Sequence, residues 1–203
     1  MSRTTREQML ETARMLFAER GFYGVSIANI ADEHGLTKQA LLHHFGSKEK
    51  IYGEVLKAIA EELNDLMTAV QAGHDDPQTQ LTDLFGRMAS GRSDDVIRTR
   101  LLMRELLDNK HRAQTAGAWY LKPFLKSLTN MAKAIPGWSH AADAQIIAVL
   151  YQIIGAVSYY GVSAPTLRGI YGKAGAQAIE RAFPAQLEAT IAAALAARPI
   201  AEG

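Results

Sequence analysis

Cysteine is absent from this 203-residue chain, which excludes disulfides, thiolate metal sites and cysteine nucleophiles together. Net charge is nearly absent as well. Against 22 Lys and Arg stand 21 Asp and Glu, leaving +1, so no broad basic surface announces a nucleic-acid partner and any such case rests on local pattern. Nor is there a long apolar run. The most apolar stretch, Ile146 to Val162, carries Gln152 and Ser158, lacks basic flanks, and is shorter than the ~20 residues a membrane helix needs. It reads as a buried core or interface helix, with no membrane partner. The first ten residues mix Arg3, Arg6 and Glu7 with no apolar h-region, so no secretory signal is read and a cytoplasmic location is expected. Catalytic signatures are missing too: there is no GxSxG, Walker loop, HExxH or Gly-rich dinucleotide turn. His74-Asp75-Asp76, just before Pro77, has no second histidine at ligand spacing, and Asp108 with His111 fails the same test. The chain is therefore not expected to be an enzyme or to need a metal or cofactor.

What is present is helical. Hydrophobic residues make up 48% of the chain, Ala, Leu, Glu, Gln, Lys and Arg abound, and no alternating β-branched run bounded by turns occurs. The fold class is all-α, with about nine helices expected from the periodicity. Met9, Leu10, Ala13, Leu16 and Phe17 recur at helical spacing from Thr4 to Arg20, and Gly21 is a left-handed cap. Ser26 caps a short second helix facing inward through Ile27, Ile30 and Ala31, and Gly35 permits the turn that ends it. Thr37 opens a third helix to about His44, and Ser47 a long fourth one with a stripe of Ile51, Val55, Ile59, Leu63, Leu66 and Val70. Further helices are read over residues 78–90, 94–109, 112–134 and 140–161, a weak one after Pro165, and an Ala-rich one over 174–197. Pro123 is expected to kink or divide the 112–134 helix, because it removes an i→i−4 hydrogen bond.

Three short helices, the last two joined by His34-Gly35-Leu36-Thr37, match the geometry in which one helix crosses a phosphate backbone and the next enters the major groove. Thr37 caps the third helix and turns its hydroxyl toward phosphate, and Lys48 adds a mobile ammonium. Lys38 and Gln39 are the candidate base readers: lysine suits guanine O6 and N7, glutamine pairs with adenine N6 and N7. Leu42 can touch a thymine methyl, and His43 can donate to phosphate or base. Local charge adds little, with eight basic and seven acidic residues in the first 57. Their placement adds more, since Lys38, Lys48 and Lys50 cluster on the proposed DNA face. The competing reading is a helical scaffold that binds another protein and uses the N-terminal unit only structurally.

The run GFYGVSIANIADEHGLTKQALLHHFGSKEKIYGEVL, Gly21 to Leu56, resembles the DNA-binding signature of TetR-type transcriptional regulators. The resemblance is carried by Gly21-Phe22, Ser26 before Ile30-Ala31, Gly35-Leu36-Thr37, His43 with Phe45, and Ser47-Lys48-Glu49. It implies that Ser26, Thr37, His43 and Lys48 contact phosphate or bases and that Lys38 and Gln39 vary with the operator. Leu42 departs from it, standing where the family usually has a tyrosine that reaches a phosphate. His34 stands where a small residue is usual and is read as a satisfied, partly exposed histidine. The implied organisation is a helix-turn-helix domain over 1–50 and a helical effector-binding and dimerisation domain over 51–203. The implied function is a repressor that binds a palindromic operator as a homodimer and is released by a small apolar or amphipathic effector.

For the larger domain the sequence supplies candidates only. An effector cavity is expected among Leu84, Met88, Leu102, Met103 and Leu106, with Trp119, Tyr120, Phe124, Leu128, Met131 and Tyr151 completing an apolar lining. Dimerisation is expected on the last two substantial helices through Ile147, Leu150, Ile154, Leu187, Ile191 and Leu195, beside small residues that permit close approach.

Overall fold

The computed structural model describes residues 5–108, 120–197 and 199, and every element among them is helical. In chain order the helices are α1 (Thr5–Arg20), α2 (Ile27–Asp32), α3 (Lys38–Phe45), α4 (Lys48–Gly73), α5 (Pro77–Met88), α6 (Ser93–Asp108), α7 (Lys122–Lys133) and α8 (Asp143–Ala196). Close contacts divide the chain into two units, Met1–Glu62 with Ile97–Tyr120, and Leu63–Val96 with Leu121–Gly203.

The first unit is built by capping and by one buried stripe per helix. Met9, Ala13, Leu16 and Phe17 put α1's apolar face inside, and Gly21, at φ 73°, donates its N–H to Phe17 O at 2.9 Å. Such a left-handed C-terminal residue satisfies an orphan carbonyl at no Cβ penalty. Ser26 Oγ accepts from Asn29 N (3.1 Å) while Asn29 Oδ1 accepts from Ser26 N (2.9 Å), a reciprocal box that starts α2. Thr37 Oγ1 accepts from Ala40 N at 3.2 Å and Ser47 Oγ from Lys50 N at 3.2 Å, fixing the starts of α3 and α4. Ile30, Leu41, Ile51, Ile59 and Leu101 are fully buried and form the core of this unit with Phe17.

The second unit packs α5, α7 and α8 around Leu81, Leu84, Phe85, Leu128, Ile146 and Ile191. Asp76 caps α5, and Pro77 begins it at a position whose N–H has no helical partner. Trp138 is buried and its indole donates to Leu195 O at 2.7 Å, so its one polar atom is satisfied.

Two prolines bear on the expected helix boundaries. Pro123, expected to kink or divide a helix, stands at a helix start: it lies in the first turn of α7, where a missing N–H costs nothing. The N-terminal part of the expected 112–134 helix, residues 112–119, lies outside the described residues. The helix read over 140–161 does not stop at 161, and the weak helix read after Pro165 is continuous with it across that proline. The chain stays helical through it to Gly172, whose φ of 66° and ψ of 179° separate residues 143–171 from 173–196. The break therefore occurs at the glycine, because only a residue without Cβ enters that region cheaply.

Candidate nucleic-acid interface

On α3 the two faces separate cleanly. Leu41 and Phe45 are buried, while Lys38, Gln39 and His43 are exposed and Leu42 is half-buried. Positions 38, 39, 42 and 43 are i, i+1, i+4 and i+5, and so share one side of a helix. Gly46, at φ 82°, closes α3 by donating to Leu42 O at 2.7 Å, which ends the helix at eight residues.

Beside this face lies a surface groove of about 430 Å³, lined by Tyr23, Gly24, Val25, Ser26, Ile27, Ala28, Asn29, Lys38 and Lys48. It brings together Ser26, Lys38 and Lys48 of the residues expected to meet DNA. The two ammonium groups in one concave strip can accommodate a phosphate, and the Ser26 hydroxyl, which donates to Asn29 Oδ1 at 2.8 Å, would have to exchange that bond to join them. Thr37, Gln39, Leu42 and His43 lie outside that groove. Thr37's hydroxyl serves the α3 cap, and its remaining donor capacity is what a phosphate oxygen would use.

Lys48 is not left to its own rotamers. Its Nζ sits 4.2 Å from the centroid of the Phe22 ring, within the range of a cation–π attraction worth about 0.5–1 kcal/mol at an accessible site. Phe22 in turn meets Tyr52 edge-on, centroids 5.1 Å apart, and Tyr52 meets Phe17 at 5.0 Å and 87°. Arg6 takes a comparable place over Phe45, at 4.7 Å, and pairs with Glu54. His34 is half-buried and its Nε2 lies 2.9 Å from Thr12 Oγ1, tying the turn to α1. This agrees with the reading of a satisfied histidine.

The sequence reading missed Tyr23 and Asn29. Tyr23 is 73% exposed beside Phe22 and forms one rim of the groove. The available signal was an aromatic pair flanked by Gly21 and Gly24, which reads as a loop until the lysines are placed next to it.

The effector candidates fall in both units. Leu102, Met103, Leu106 and Tyr120 belong to the first, and Leu84, Met88, Phe124, Leu128, Met131 and Tyr151 to the second. Trp119 lies outside the described residues. Leu84, Phe124, Leu128 and Met131 are buried, Met88, Leu102 and Met103 half-buried, and Leu106, Tyr120 and Tyr151 exposed. None of them lines the second unit's cavity of about 470 Å³, whose walls include Tyr160, Pro165, Leu167, Arg168, Lys173 and Glu180. Tyr160 stacks on Phe183 at 3.6 Å, and burial, with the nearby Glu180 carboxylate second, pushes its phenol up. His74 pairs with Asp83 at 2.9 Å.

Of the dimer candidates, Leu150, Leu187, Ile191 and Leu195 are covered by their own chain. They are core residues of the second unit, because the apolar face they form already has a partner in the protomer. Ile147 is 40% exposed and Ile154 half-buried. The open stripe on α8 is Ile147, Tyr151, Gly155 and Tyr159, spaced i, i+4, i+8 and i+12.

Residues 9–55 match the family model described as bacterial regulatory proteins, tetR family. The HTH-type transcriptional repressor KstR2 of Rhodococcus jostii is 40% identical over 58 residues, covering 29% of this chain and 28% of that protein. The HTH-type transcriptional repressor AcnR of Corynebacterium efficiens is 30% identical over 80 residues, covering 36% of this chain and 43% of that protein. The matches thus span less than half the length of these curated relatives. Among solved structures, the ketosteroid transcriptional regulator KstR2 of Mycobacterium tuberculosis superposes with a TM-score of 0.64 at 20% identity, covering 93% of this chain and 95% of that one. A transcriptional regulator from Rhodococcus sp. Rha1 does so with a TM-score of 0.70 at 18% identity, covering 98% and 100%. At these identities the likeness establishes a shared fold.

Proposed function

We propose that this chain, TetR-type by its matched residues 9–55, is a transcriptional repressor that binds a palindromic operator as a homodimer and is released by a small amphipathic effector. The observation that carries the DNA reading is the exposed α3 face of Lys38, Gln39 and His43 standing beside a groove that holds Ser26 and Lys48. Lys48, Ser26 and Thr37 hold phosphates and set register, and Lys38 and Gln39 read base edges. Dimerisation uses the open α8 stripe. Ile147, Tyr151 and Tyr159 are exposed in a single chain, and an open apolar face of this kind favours a second copy. Two-fold symmetry then places the reading helices about 34–36 Å apart, one turn of duplex.

The effector reading rests on the cavity that sets Arg168 and Lys173 beside Tyr160, Pro165 and Leu167, a combination suited to an apolar body with an anionic end. Release requires the effector to bind the DNA-incompetent form more tightly, with coupling of about 1–3 kcal/mol. In this reading it changes the spacing of the two reading heads.

The test is selection of bound duplexes from a random pool, then footprinting of the winner with and without a panel of fatty acids and a ketosteroid. A palindromic winner released by one of these supports the reading. With that duplex, Lys48→Ala should weaken all sequences alike and lower the salt slope by about one per protomer, whereas Gln39→Ala should relax preference at one base position. Unchanged binding in both variants would favour the protein-binding scaffold.

A further inference from the structure

Two groups buried in the first unit, the Tyr52 phenol and the Glu105 carboxylate, are joined through Phe22 to Lys48 of the groove. Tyr52 is 2% exposed and Glu105 4%, and the Tyr52 hydroxyl donates to Glu105 Oε2 at 2.7 Å across 53 residues of sequence. From that anchor a continuous series of contacts leads outward. The Tyr52 ring meets Phe22 at 5.1 Å, and Phe22 carries the Lys48 ammonium at 4.2 Å over its face. Lys48 is the cation that lines the groove with Ser26 and Lys38.

We infer that Tyr52 and Glu105 are positioning residues for Lys48: the buried hydrogen bond fixes the tilt of the Tyr52 ring, that ring seats Phe22, and Phe22 holds the ammonium where a backbone phosphate would lie. The inference rests on the DNA reading for its ligand, but the seating of Lys48 is a property of the free protein. The physical basis is the difference in freedom along the series. A lysine has four rotatable side-chain bonds and an exposed one samples many rotamers, whereas an aromatic ring clamped at both ends samples few. A carboxylate that accepts from a buried phenol holds that phenol in one orientation, because a hydrogen bond to a charged oxygen is short, strong and directional. Glu105 lies on α6, so the pose of the phosphate-binding lysine depends on an element far from it in sequence.

Two measurements on the full chain test this. The first is the NMR shift of the Lys48 ε-methylene, which the Phe22 ring current displaces upfield. Tyr52→Phe and Glu105→Leu should move it toward the value of a free lysine. Glu105→Gln, which keeps an oxygen acceptor for the phenol, should leave it near wild type. An upfield shift unchanged in both Tyr52→Phe and Glu105→Leu would overturn the inference. The second is binding to a 30-base-pair random-sequence duplex at fixed low salt. Tyr52→Phe should weaken it about fivefold in the wild-type background and by less than about twofold in a Lys48→Ala background, since residues acting through one contact are non-additive. Equal loss in both backgrounds assigns Tyr52 a general structural role and refutes the positioning one. If the wild-type chain binds no duplex, the DNA reading fails, and the methylene shift alone decides whether Tyr52 and Glu105 seat Lys48.

Discussion

Replacing Arg104 with Met keeps an aliphatic stem but removes a guanidinium that donates from Nε to Ala18 O at 2.9 Å and from Nη2 to Glu19 O. These carbonyls belong to the last turn of α1, where a helix has no donors of its own left and where its dipole favours positive charge. A hydrogen bond with one charged partner contributes about 1.5–3 kcal/mol net. Arg104 is only half-buried and the Glu19 bond is exposed, so water takes over part of what is lost. The two bonds and the dipole contribution together then come to about 2 kcal/mol. That corresponds to about 30-fold in a local opening equilibrium. The assay is amide hydrogen exchange on the full chain, comparing the last two turns of α1 with α7. In Arg104→Met the α1 amides should exchange about 30-fold faster while those of α7, in the other unit, keep their wild-type rates. Unaltered α1 exchange would show that water already satisfies those carbonyls. Equal acceleration in both helices would show that Arg104 supports the whole chain and not the end of α1.

Gly172→Ala should lower the melting temperature by roughly 4–8 °C: no atom lies within 4 Å of the added Cβ, so the cost is the backbone strain at φ 66°, about 2 kcal/mol. An unchanged melting curve would mean that the break can relax. Ile147→Glu places a charge in the open α8 stripe, where Ile147 is 40% and Tyr151 47% exposed. It should convert the dimer to monomer in sedimentation without unfolding the protomer, and persistence of a dimer would exclude that stripe as the interface. Thr79, through its hydroxyl and then its backbone N–H, holds the Asp76 carboxyl below its ordinary 3.8. A carboxylate depressed in the folded state contributes stability above 3.8 that is lost as pH falls through the lower folded value. Asp76→Asn still caps α5 but does not titrate, so its melting temperature should fall less steeply between about pH 4 and 2. Some acid sensitivity should remain, because Asp83 is also depressed, chiefly by its hydrogen bond from Arg87. An identical slope in the two proteins would refute the assignment.

Much of the first unit was legible because its determinants are local. Ser26, Thr37 and Ser47 cap within three residues of themselves, and Gly21, Gly35 and Gly46 all take positive φ. The 3.6-residue period then places Leu41 and Phe45 inside and Lys38, Gln39 and His43 outside. Other features needed the packing of the whole chain. The helix read over 140–161 stops short of Pro165, yet the chain stays helical through that proline to Gly172, while Pro123, expected to kink or divide a helix, stands in the first turn of α7, which tolerates it. Leu150, Leu187, Ile191 and Leu195 have the pattern of an interface, and periodicity cannot say whether the covering face belongs to the same chain or to a second one.

The sequence by itself determined that the chain is all-helical, where its N-terminal helices start and stop, and which side chains of α3 face outward. These follow from capping chemistry and periodicity over a few residues. Only the tertiary structure decided that Arg104 completes α1 from 85 residues or more away, that Tyr52 meets Glu105, and that Phe22 carries Lys48. Such pairings depend on how separate helices come to share a core. No local rule encodes which buried donor finds which acceptor, and the free energy of satisfying both is gained only once the chain has folded.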